Sequence, residues 1–174
     1  KLLDEAESNY PDNDAFVNFG VSLSYKDVQT KSKKFAAYLQ NVLGLKKGDR
    51  IAMMMPNLLQ YPVAIFGALR AGLIVVNVNP LYTPRELEHQ LRDSGSKAIL
   101  IFENSAHVLS AVIENTEIEH VIITKIGDFL GPIKGSLMNF VVKYLKRMVP
   151  KYSLPGKIDF KSTLGRPVTD LDET

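Results

Sequence analysis

IAMMMPNLLQYPVAIFGALRAGLIVVNVNP, residues 51–80, decides the fold of this chain. An apolar run, 51–55, stops at Pro56-Asn57. Residues 58–71 are long enough for a helix and carry only Gln60 and Arg70 as strongly polar positions. Residues 74–78 are β-branched, the composition of a strand buried on both faces. Gly72 falls where a helix end favours a residue free to take positive φ. The crossover is too long for a hairpin and suits a right-handed parallel βαβ unit. Strands and helix are apolar almost all round, so the rest of the protein is expected to cover this unit on every side.

Working outward, Thr83-Pro84-Arg85-Glu86 reads as a capping box with Pro at the first helical position, opening a helix that Gly95 closes. Residues 98–102 form the next apolar run, Asn104 and Ser105 open a helix over 106–115, and 120–124 form a fourth strand. The strands begin near 51, 74, 98 and 120. That rhythm of one βα unit per period predicts an α/β fold with a mostly parallel, helix-covered sheet. Upstream, residues 1–10 read as a helix end, and 15–19 and 21–25 as a small β-hairpin about Gly20. A helix over 26–43 follows, its apolar positions sharing one face.

The pattern breaks after Lys125. Residues 129–158 hold no Asp or Glu but six basic residues, against a net charge of +2 for the whole chain, so the remainder is net acidic. Residues 150–167 are rich in Pro and Gly and read as mostly loop, ending in an acidic tail, 170–174. At 100° per residue, Ile133, Leu137, Met138, Phe140, Val141, Val142, Tyr144, Leu145, Met148 and Val149 share half of a helix running to 149. Ser136, Asn139, Lys143, Lys146 and Arg147 share the other half, and Lys134 lies within the apolar side. Two readings compete. The helix lies on the protein's own core with a solvated basic face, or it is an interfacial anchor on an anionic membrane surface, with Lys134, Phe140, Lys143, Leu145, Lys146 and Arg147 as contact residues.

Other classes fall away. The basic residues are few and no recognised module surrounds them, so nucleic acid is not expected as a partner. No cysteine supplies a disulfide, a thiolate ligand or a thiol nucleophile. Residues 61–78 are apolar, but Arg70 and the Pro62 and Gly72 interruptions argue against a membrane span, and residues 1–10 lack a signal-like apolar core. His89, His107 and His120 lie far apart without ligand spacing. No G-x-G-x-x-G, H-E-x-x-H, G-x-S-x-G or glycine-rich lysine loop is present. Ligands of an open parallel sheet gather at the carboxyl ends of its strands. Here those ends carry Asn57, Asn77, Asn79, Glu103-Asn104 and Thr124-Lys125, either as a polar rim or, for Asn57 and Asn104, as helix caps.

Residues 45–101, LKKGDRIAMMMPNLLQYPVAIFGALRAGLIVVNVNPLYTPRELEHQLRDSGSKAILI, closely resemble bacterial long-chain fatty acyl-CoA synthetases of the adenylate-forming (AMP-binding) superfamily. G-D-R-I-A…P-N and N-P-L-Y-T-P-R-E-L recur across that superfamily, and VVKYLKRMVPKYSLP, residues 141–155, is similar to an insertion of the bacterial long-chain enzymes. The resemblance implies a ligase that joins a long-chain fatty acid to coenzyme A through an acyl-adenylate, using ATP and Mg²⁺. It also implies that the phosphate loop and the catalytic lysine lie on polypeptide beyond residue 174, so no catalytic, cofactor-binding or metal-binding residue is assigned here. On this reading residues 1–174 are an incomplete N-terminal portion of the large domain. Residues 1–50 supply hairpin and first helix, 51–125 the βα units, 126–158 a basic amphipathic insertion and 159–174 a linker. The chain alone is expected to be inactive and to self-associate through uncovered apolar faces. A cytoplasmic location, peripheral on the inner face of the cytoplasmic membrane, is expected of the parent. An autonomous membrane or protein-interaction module sharing the fold is the alternative. A small nucleotide-binding domain is disfavoured by the missing Gly-rich turn.

Overall fold

The computed structural model describes residues 2–165, 167–168 and 171–172. Helix α1 (Leu2–Asn9) leads into an antiparallel hairpin, β1 (Asp14–Asn18) and β2 (Val21–Ser24). Phe19 and Gly20 both take positive φ, 51° and 69°. That is the two-residue turn whose twist matches paired strands. Helix α2 (Tyr25–Asn41) starts at a capping box in which Asp27 N donates to Ser24 Oγ at 3.1 Å and the Asp27 carboxylate accepts from Ser24 N.

The βα units follow as the spacing predicts: β3 (Arg50–Met54), α3 (Gln60–Arg70), β4 (Ile74–Asn77), α4 (Pro84–Ser94), β5 (Ala98–Phe102), α5 (Ala106–Ser110) and β6 (His120–Thr124). Helix α4 carries the expected Thr83–Glu86 capping box and ends on left-handed Gly95. A fifth strand, β7 (Ile158–Asp159), and a short α7 (Phe160–Thr163) come from the stretch read as loop. All pairings in this sheet are parallel, in the order β4-β3-β5-β6-β7.

Alternate residues of the central strands feed two cores. Ile51, Met53, Leu100 and Ile122 point toward α2 and α3, and Ala52, Met54, Ile99, Ile101 and Ile123 join Leu87, Leu91 and Leu109 of α4 and α5. Continuous apolar runs in β3 and β5 are therefore needed, because water reaches neither face. Helices α2 and α3 cross at Gly67, where an added Cβ would come within 2.8 Å of the Phe35 ring and 3.0 Å of Ser32 O.

Three expectations are corrected. Strand β4 is not buried on both faces: it is the sheet's edge, with Ile74 47% exposed, so the βαβ unit is covered at β3 and open at β4. Composition cannot separate an apolar edge from an apolar centre. The helix expected over 106–115 is one α-helical turn flanked by 3₁₀ turns at Glu103–Ser105 and Ile113–Asn115. The amphipathic helix is α6 (Pro132–Phe140) continued by a π-helical turn, Val141–Leu145, and does not reach residue 149. Lys146 N donates to Val141 O at 2.8 Å and Met148 N to Val142 O at 3.0 Å, while Arg147 takes φ 51°. A left-handed residue followed by such a long-reaching bond closes a helix. Of the expected acidic tail, Asp170, Glu173 and Thr174 lie outside the described residues.

Candidate functional site

The carboxyl ends of β5, β6 and β7 form one polar rim. Glu103, directly after β5, is 5% exposed and accepts from Lys143 Nζ at 3.2 Å and from Tyr152 Oη at 3.1 Å. Burial, then the Glu103 charge, pushes the Tyr152 hydroxyl well above the ordinary tyrosine range, so it stays a donor. Lys125 Nζ, beyond β6, pairs with the Asp159 carboxylate at 3.0 Å. The Asp128 carboxylate accepts from Thr124 Oγ1 at 3.0 Å and Lys125 N at 2.8 Å. Burial pushes the Asp128 carboxyl up, against those two bonds and the Lys125 charge, which hold it down. Glu103, Lys125, Ser136, Asn139, Phe140, Lys143 and Tyr144 line a cavity of about 310 Å³ between rim and α6.

The chain brings α6 to this rim through glycines. Gly135 is buried on Gly127, where an added Cβ on either residue would fall 2.2 Å or less from the other's carbonyl oxygen. Gly127 N donates to Asn139 Oδ1 at 2.8 Å. Gly135 and Asn139 lie opposite Ile133, Leu137, Phe140 and Tyr144 at 100° per residue. Ile133, Leu137, Phe140, Tyr144, Leu145 and Met148 are each more than half exposed. Within the described residues the core of the apolar face points away from the body, contrary to the core-packed reading, and Met138, Val141, Val142 and Val149 are half-buried.

The six residues read from the sequence as membrane contacts divide accordingly. Lys134 reaches back to the hairpin and donates to Phe19 O. Lys143 is held by Glu103. Phe140 and Leu145 stand on the outward stripe, with the Phe140 ring 5.2 Å from that of Tyr144. Lys146 and Arg147 are exposed where the helix closes. Sequence reasoning placed Glu103 on the rim without its partners. Tyr152 carried no signal, because a lone aromatic in a Pro-rich loop has no period to place it.

The asparagines do not cap as expected. Helix α3 has Leu59 at its N-cap and no side-chain cap bond, and Asn57 O instead accepts from Asn18 Nδ2 at 3.0 Å. Helix α5 also lacks a side-chain cap, and Asn104 O lies 3.0 Å from His107 Nδ1. Asn77 Oδ1 accepts from Tyr61 Oη at 2.6 Å, and Asn79 Oδ1 accepts from Leu81 N at 3.0 Å, turning the chain before α4. Among the described residues no three His, Cys, Asp or Glu side chains converge in a way that could hold a metal ion.

A parallel, helix-covered sheet with its polar groups at the strand carboxyl ends belongs to the open α/β class, whose ligands gather at that edge. The family model for AMP-binding enzymes matches residues 3–158, and the chain belongs to that family. It is 61% identical over 164 residues to the long-chain-fatty-acid–CoA ligase of Salmonella typhimurium, covering 94% of this chain and 29% of the relative. The ligase of the same name from Bacillus subtilis is 38% identical over 133 residues, covering 74% of this chain and 23% of that protein. The chain thus spans less than a third of the length of these relatives. Among solved structures, the anthranilate CoA ligase AuaEII in complex with anthranoyl-AMP superposes with a TM-score of 0.77 over 99% of this chain and 29% of that one. At 15% identity, that likeness speaks for the fold alone.

Proposed function

We propose that this chain is part of a long-chain fatty acid–CoA ligase, in which a fatty carboxylate attacks the α-phosphate of ATP and coenzyme A then displaces AMP from the acyl-adenylate. The observation that carries the reading is the 61% identity over 94% of the chain to a ligase of that name. Such chemistry develops charge on phosphate oxygens and calls for cationic groups and Mg²⁺ around them. The two lysines nearest the rim, Lys125 and Lys143, are each paired with a carboxylate, which suits scaffold better than a phosphate cradle. Residues 51–125 on this view build four of the five strands of the sheet, residues 126–158 are an insertion that leads into the fifth, and these 174 residues alone do not activate a carboxylate. ATP–pyrophosphate exchange with palmitate tests this. Exchange by the complete gene product and none by the chain alone is expected; robust exchange by the chain refutes the division of labour, and none by the complete product refutes the ligase.

The exposed stripe of α6 favours a second role for the same parent: contact with the anionic inner face of the cytoplasmic membrane, through Phe140 and Leu145 with Lys134, Lys143, Lys146 and Arg147 around them. Among the described residues no helix is long and apolar enough to cross a membrane, so the contact would be interfacial.

A further inference from the structure

We draw no further inference here: the strongest candidate, the open edge of the parallel sheet along β4 with its exposed Ile74, belongs to a chain spanning less than a third of the length of its relatives, and nothing in the structure shows what covers it.

Discussion

Replacing Gly135 by Ala sets two known effects against each other at one position. Glycine within a helix costs about 1 kcal/mol relative to alanine, so α6 as a helix gains from the change. Its docking loses. The new Cβ would stand 2.2 Å from Gly127 O, a backbone atom that no rotamer change can move aside. Overpacking of this kind costs about 1–3 kcal/mol. The helix relieves it by lifting from the body, since Gly135 is the only buried residue of α6 and the π-helical turn has none. Little apolar burial opposes that escape. A net penalty of about 1.4 kcal/mol on the docked state corresponds to about tenfold in its population. Hydrogen exchange reads it directly at the Gly127 amide, which donates to Asn139 Oδ1 only while α6 is seated. The expected result is about tenfold faster exchange at Gly127 with a melting temperature that barely moves, because both main cores lie elsewhere. Gly127 exchange that is unchanged or slower would show that the two glycines are not in contact, and the account of how α6 is held would fail.

The main core is expected to behave differently. Phe35 is fully buried between α2 and α3, with its ring edge-on to Phe160 at 5.0 Å. Phe35→Ala should cost about 3–5 kcal/mol, a melting temperature lower by about 10 °C for a chain of this length; a loss below about 1 kcal/mol contradicts the packing described. Asp128 yields a pH test. Its folded carboxyl lies above the ordinary value of 3.8, so its favourable contribution is complete below 3.8 and is lost as pH rises through the folded value. Asp128→Asn does not titrate and keeps an acceptor for Lys125 N. Denaturation midpoints should therefore move in the variant's favour between acid and neutral pH, and a shift the other way refutes the assignment of burial as the dominant cause.

Much of this molecule is legible in its sequence because the determining physics is local or periodic. The apolar runs at 51–55, 98–102 and 120–124, the Thr83–Glu86 box and the positive-φ glycines at 72 and 95 are satisfied within a few residues of themselves. They found their places as read. Periodicity also identified the residues that share a face of α6. Where a feature depends on neighbours distant in the chain, the sequence was silent. β4 became an edge because β3 pairs on its other side with β5, and residues 158–159 became a strand because β6 offered them an open ladder. Periodicity states which side chains lie together; it does not state which way that side is turned. Only Gly127 and Glu103, placed by the tertiary fold beneath Gly135 and Lys143, decided that the apolar stripe of α6 faces outward.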